Sequence, residues 1–161
     1  MIITCLRHAT AEMQIASRAD AERELIKKGI TQVRRVAQFC RRNGLLPAAL
    51  YSSPLPRAEQ TANALRAGLP GCPAVELVDW LALGAGPDSL SAALKMLEIN
   101  GINDVWLVGH EPDISHLLAR LLNAPEAFIE IKKASLSRIQ VDFSSLSKSR
   151  LLWSVPCGLM H

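Results

Sequence analysis

An α/β fold is predicted: a doubly wound, mainly parallel sheet with helices on both faces and an antiparallel hairpin at the C-terminus. Three observations predict it. Short β-branched or aliphatic runs alternate with longer stretches whose apolar residues recur at helical spacing. Four such strand-to-helix units follow one another, and the C-terminal part then switches to alternating polar and apolar residues around a serine-rich turn. No linker or internal repeat interrupts the pattern, so residues 1–161 read as one domain.

The first unit begins with a fully buried strand over Ile2 to Leu6, and its helix runs from Ile30 to Asn43 with Ile30, Val33, Val36, Ala37 and Cys40 on one face. Gly44 stops that helix, and Arg34, Arg35, Arg41 and Arg42 on its other side read as a solvated face. Ala48 to Ser52 is the second strand. Pro54 and Pro56 open the helix that follows, with Ala58, Thr61, Ala62 and Leu65 as its inner stripe and Gly68 and Pro70 ending it. Ala74 to Val78 is a weaker third strand, and a loop around Gly84, Gly86 and Pro87 leads to a helix capped by Asp88, with Leu90, Leu94 and Leu97 inside and Asn100 and Gly101 closing it. Val105 to Val108 is the clearest buried strand, and its helix carries Ile114, Leu117, Leu118 and Leu121. Leu136, Ile139 and Val141, the turn from Ser144 to Ser149, and Leu151 to Val155 form the closing hairpin.

Composition narrows the function. A chain of 161 residues, 49% hydrophobic and 20% charged, buries a sizeable core and is not disordered. Its 18 basic and 15 acidic residues are interspersed, a net charge of +3 without a basic stripe, which gives nucleic acid binding no support. No apolar run reaches membrane-spanning length, and Met1 to Leu6 is too short for a signal-peptide core, so no membrane partner and a cytoplasmic location are expected. Cys5, Cys40, Cys72 and Cys157 lack the paired spacing of zinc or redox sites and read as reduced, small apolar residues.

In such sheets ligands bind beyond the carboxyl ends of the strands. Three of the four strand ends carry cationic or imidazole side chains: Arg7 and His8 after the first, Arg57 after the second and His110 after the fourth. Two guanidiniums and two imidazoles converging with no obvious carboxylate to neutralise them form a cavity for an anion, and the paired N–H groups of arginine match phosphate oxygens. Helix N-termini after Arg57 and His110 add to the attraction. Nucleotide loops are not indicated: there is no P-loop, and Gly84-Ala85-Gly86 lacks the third glycine of the dinucleotide fingerprint, with Ser89 at that spacing. A G-x-S-x-G nucleophile elbow is absent too.

Leu6-Arg7-His8-Ala9, Ser53-Pro54-Leu55-Pro56-Arg57-Ala58-Glu59-Gln60-Thr61 and Val108-Gly109-His110-Glu111-Pro112, in order and each at a strand end, resemble the histidine phosphatase superfamily, whose fold is phosphoglycerate mutase-like. The short chain, the segment from Arg23 to Gly29, Lys133-Ala134-Ser135 and the ending from Trp153 to Leu159 are most similar to SixA-type protein phosphohistidine phosphatases. The resemblance implies that His8 is the nucleophile, forming a phosphohistidine enzyme that water hydrolyses, and that Arg7, Arg57 and His110 bind the phosphate and share its charge. It implies no metal and no cofactor.

Two departures from the family pattern stand out. Ala9 takes the place of the usual glycine, a change small enough for the backbone still to approach a phosphate. Many relatives carry a carboxylic acid in or after the third-strand region to protonate an alkoxide leaving group, and Trp80 to Gly86 contains none. Asp79, Asp88 and Glu111 are the nearby carboxylates; Asp88 is expected to cap a helix and Glu111 to lie beside the pocket. Without that acid, phosphohistidine is favoured over sugar phosphates, because the imidazole nitrogen departs with less help. The expected partner is a histidine phosphotransfer domain, met by a monomer through an open pocket whose mouth Lys132 and Lys133 either line or leave for water. The alternatives are a metal-independent phosphatase of small phosphomonoesters, and a non-catalytic module that binds phosphorylated protein. His116 and His161 receive no role.

Overall fold

The computed structural model describes residues 1–16, 19–126 and 128–161. Its six strands are β1 (Ile2–Arg7), β2 (Ala49–Ser52), β3 (Val75–Leu77), β4 (Asp104–Gly109), β5 (Leu136–Gln140) and β6 (Arg150–Val155). They form one sheet in the order β3-β2-β4-β1-β5-β6. The first four in that order are mutually parallel, and β5 and β6 join antiparallel as a hairpin. Helices α1 (Lys27–Arg42), α2 (Pro56–Gly68), α3 (Pro87–Ile99) and α4 (Asp113–Leu121) connect the parallel strands and lead out of β4. The predicted fold class is the observed one.

Strand alternation sorts the core into two layers. Leu6, Leu50, Trp106 and Val108 face α1 and α2, together with Val33, Ala37, Ala62 and Leu65. Ile3, Cys5, Leu107 and Val105 face the opposite way, onto Leu90, Leu94, Leu117 and Leu118 of α3 and α4. The chain end packs on the first layer: Cys157 and Met160 are buried there, and Trp153 meets the edge of Phe39 with ring centroids 6.5 Å apart. Among the described residues no helix is long and apolar enough to cross a membrane.

Two local expectations change. Helix α1 starts three residues before Ile30 and takes in Gly29, where a side chain has no room: a Cβ at Gly29 would lie 2.2 Å from the Thr10 carbonyl oxygen. This contact joins the first turn of α1 to the chain just beyond β1, and Gly29→Ala is expected to cost roughly 1–3 kcal/mol, read as a lowered urea midpoint at unchanged slope. An unchanged midpoint contradicts the tight contact. Asp88 is not a helix cap. Gly86 occupies the cap position and Pro87 the first turn, so Asp88 projects from the helix side, 84% exposed, and pairs with Arg120 of α4 at 3.1 Å.

Candidate active site

Strands β1, β4 and β2 are neighbours in the sheet, so their carboxyl ends deliver His8, His110 and Arg57 to one place. Register makes this so: the His8 amide donates to the Gly109 carbonyl at 2.9 Å and the Ser53 amide to the Val108 carbonyl at 2.9 Å, extending both ladders past the strand ends. The resulting cavity of about 380 Å³ is lined by Arg7, His8, Arg57 and His110, the four predicted residues, and by Gln14, Asp20, Arg23, Leu83, Glu111 and Lys133.

The backbone around His8 is held from three directions. The Ala9 amide donates to Thr61 Oγ1 at 3.1 Å, and the Thr61 hydroxyl donates in turn to the Arg57 carbonyl at 2.7 Å, which ties the strand end to α2. The Ala134 amide donates to the Arg7 and His8 carbonyls at 3.1 and 3.4 Å, from a residue in the left-handed region at φ 56°. Ala9 itself is fully buried in the core layer over α1 and α2, where a methyl group fills space.

His8 Nδ1 lies 2.8 Å from its neighbour's carbonyl, Ala9 O. A carbonyl only accepts, so the ring hydrogen belongs on Nδ1, and Nε2 keeps its lone pair. Burial, reinforced by the charges of Arg57, Arg7 and Lys133 and opposed by the bond to Ala9, pushes the His8 pKa down to about 4. His110, whose ring centroid is 5.2 Å from that of His8, is pushed down to about 3 by burial and by His8 and Arg57. Both rings are therefore neutral at pH 7. Unfolded histidine titrates near 6.5, so the unfolded chain takes up protons that the folded one refuses, and stability falls as pH drops from about 6.5 toward 4. A titration of the imidazole resonances is expected to place the His8 midpoint near 4, and His8→Ala to flatten that part of the stability curve. A midpoint near 6.5 refutes the assignment.

Ser53, Asp20 and Arg23 are partners that sequence reasoning missed. The Ser53 hydroxyl, which accepts the Leu55 amide at 3.3 Å, sits 2.8 Å from His110 Nε2. With Ser53 donating to Nε2, the His110 hydrogen lies on Nδ1, a nitrogen buried without a partner and free for an anion. Asp20 corrects the expectation of an uncompensated cage. Arg57 donates through Nη1 to the Asp20 carbonyl at 2.8 Å and through Nη2 to its carboxylate at 2.9 Å, and Arg23 pairs with the same carboxylate at 2.7 Å. Burial alone would raise the Asp20 carboxyl, but Arg57 and Arg23 outweigh it and hold it below the usual carboxylate range.

Arg7 donates to the Ile131 carbonyl at 2.7 Å, which orients its guanidinium across the cavity wall. Glu111 is the second carboxylate of the cavity; one of its oxygens accepts the Ser115 hydroxyl at 2.7 Å and the other is buried without a partner. Asp88 and Asp79 do not line the cavity. The segment after β3 contributes Leu83, held in place by a bond from the Gly84 amide to buried Asp113 at 2.8 Å. Among the described residues, no group of three histidine, cysteine or carboxylate side chains is placed to hold a metal ion.

A neutral histidine with one free nitrogen, facing a second neutral histidine and flanked by arginines at the ends of three central parallel strands, is the arrangement of a phosphoryl-handling α/β protein. The family model of the histidine phosphatase superfamily (branch 1) matches residues 3–82, and the chain belongs to that superfamily. It is 34% identical over 108 residues to an uncharacterized protein of Picosynechococcus sp., a match that covers 67% of this chain and 65% of the relative. In fold it is similar to a solved protein histidine phosphatase SixA complexed with tungstate, at 22% identity and a TM-score of 0.87, covering 98% of both chains. It is similar also to a SixA-type protein from Agrobacterium tumefaciens, at 19% identity and a TM-score of 0.80, covering 96% of both chains. The matched part of the chain spans just under two thirds of the length of the curated relative, and fold likeness at these identities does not select a substrate.

Proposed function

We propose that the chain is a phosphatase that removes phosphate from phosphohistidine on a protein, through a covalent intermediate on His8. The observation that carries this reading is the Nδ1 hydrogen committed to Ala9 O, which leaves Nε2 as the nucleophilic nitrogen in a cavity shared with Arg7, Arg57 and His110. Nε2 attacks phosphorus, a new N–P bond forms, and the N–P bond to the departing imidazole breaks with its electron pair leaving on that nitrogen, which water protonates. Water then attacks phosphorus, releasing phosphate and restoring His8. Arg7, Arg57 and His110 hold the oxygens in both steps, which are chiefly a matter of position and charge. The proposal extends to the whole of residues 1–161 acting as one unit, with no cofactor.

The leaving group supports phosphohistidine. The segment after β3 contributes Leu83 and no carboxylate to the cavity, among the described residues, and Asp88 is engaged with Arg120 outside it. A phosphorylated imidazole needs less protonation than an alkoxide to depart. Glu111, a carboxylate lining the same cavity with one unpartnered oxygen, is the observation that favours small phosphomonoesters as a second reading.

The deciding experiment measures phosphate release from a phosphohistidine-bearing phosphotransfer protein, an aryl phosphate and a phosphoglycerate, with native protein and Glu111→Gln. Expected are a kcat/KM at least about tenfold higher on phosphohistidine, an acid-labile phosphoenzyme, and a change under about threefold in the variant, as for a residue that transfers no proton. Preference for phosphoglycerate, lost in Glu111→Gln, establishes the second reading. Binding of the phosphoprotein without turnover makes the chain a non-catalytic module.

A further inference from the structure

A second, larger concavity of about 940 Å³ adjoins the active-site cavity, and Arg7 and Lys133 line both. One wall is a stripe of α1, where Lys28, Thr31, Gln32 and Arg35 follow at three- and four-residue spacing over roughly 10 Å. The segment around Lys132 forms the second wall and the C-terminal turn from Pro156 to Leu159 the third. Among the described residues, five cations (Arg7, Lys28, Arg35, Lys132 and Lys133) line it against one carboxylate, Glu130, in a chain whose basic and acidic residues otherwise nearly balance. Among the described residues, none of Lys28, Arg35, Lys132 and Lys133 has an ion-pair partner, and the crowding shows at Lys133: burial and the charges of Arg7, Arg23 and Lys28 all lower its pKa. The arginine face of α1 is therefore divided, with Arg35 turned to this groove.

We propose that the groove docks an acidic segment of the phosphoprotein, with carboxylates beside the phosphorylated histidine lying along Lys28, Arg35 and Lys132 while the phosphoryl group enters past Arg7 and Lys133. This rests on the reading of the site as a phosphohistidine phosphatase. Carboxylates match the unpaired ammonium and guanidinium groups, and exposed Leu159 offers an apolar contact to a peptide. A nucleic acid fits worse. Among the described residues no aromatic side chain lines the groove for base stacking, and Glu130 opposes a continuous line of phosphates.

The test compares two phosphohistidine peptides, one flanked by glutamates at three- and four-residue spacing and one by glutamines, with native protein and the Lys28→Glu/Arg35→Glu double variant. Both positions are exposed on α1 and outside the cavity, and glutamate suits a first helical turn and a helix interior, so the variant folds. Native protein is expected to show a KM at least about fivefold lower for the acidic peptide, narrowing as salt rises, and the variant to lose that preference with kcat on free phosphoramidate unchanged. Equal KM values in native protein, or a preference that survives the variant, overturn the proposal. Should no phosphoramidate be hydrolysed, the function reading fails separately, and fluorescence anisotropy of the unphosphorylated acidic peptide decides the groove. Binding lost in the variant sustains an acidic-peptide site; no binding, or tighter binding of an oligonucleotide of equal charge, refutes it.

Discussion

His8→Ala is expected to lower phosphate release by about 10⁴-fold or more and to abolish the acid-labile phosphoenzyme, since among the described residues no other group in the cavity combines a free lone pair with neutrality at pH 7. His110, the other neutral ring, has its Nε2 engaged with Ser53. The fold is expected to persist, because the neighbouring ladder bonds run through the backbone: His8 N to Gly109 O, and Ala134 N to Arg7 O. Binding of inorganic phosphate is expected to change by no more than a few-fold, as Arg7, Arg57 and His110 remain. Added imidazole, small enough for the space the ring vacates, is expected to restore part of the turnover without restoring the phosphoenzyme on the protein. Retention of more than about 1% of native turnover removes His8 from the nucleophile's role.

Parts of this were legible in the sequence because their cause is local. Strands β1 and β4 are buried on both faces in the middle of the sheet and parallel to each other, so Ile3 to Leu6 and Val105 to Val108 are almost uninterrupted apolar runs. The residues that follow them, His8 and His110, become site candidates from the topology of such sheets alone. The α1 boundary was less legible. Gly29 weakens a helix by its propensity, and only the Thr10 carbonyl packed against it explains why a glycine stands in the first turn. Asp88 follows Pro87, and a proline in the first turn places the cap one residue before it, at Gly86; the acidic residue was the more conspicuous signal and the wrong one.

What the sequence hid are the partners brought in by irregular chain. Asp20 and Arg23 lie between the end of β1 and α1 in a stretch whose regular elements, among the described residues, are a three-residue 3-10 turn, Asp20–Glu22, and an isolated bridge between Ala11 and Leu25, so no periodicity aims them at the pocket. Ser53 stands within a motif that was read, but its partnership with His110 depends on β2 and β4 being adjacent, a fact of strand order rather than of sequence. The groove beside the site is assembled from α1, the segment before β5 and the chain end, which meet only in three dimensions.

Arg57→Ala is expected to cost more than the loss of one cation, because of Asp20. Arg57 is 1% exposed and lines the cavity with Arg7, His8 and His110, and an arginine that takes up charge on a transferring phosphoryl group contributes about 10³- to 10⁵-fold to the rate. In the native cavity the Asp20 carboxylate is covered by Arg57 and Arg23. Without Arg57 it keeps one partner and faces the incoming phosphate as a like charge, which raises KM as well as lowering kcat. Asp20→Asn in the native background is expected to change turnover by less than about threefold, since Arg57 Nη1 retains the Asp20 backbone carbonyl as an acceptor. In the Arg57→Ala background the same change is expected to recover about tenfold, most of it in KM. Additive effects in this cycle mean that Asp20 is indifferent to the phosphate. A large loss on Asp20→Asn alone means instead that the carboxylate, rather than the backbone carbonyl, sets the orientation of the guanidinium, and the charge held between Asp20, Arg23 and Arg57 then serves to position Arg57 before the phosphoryl group arrives.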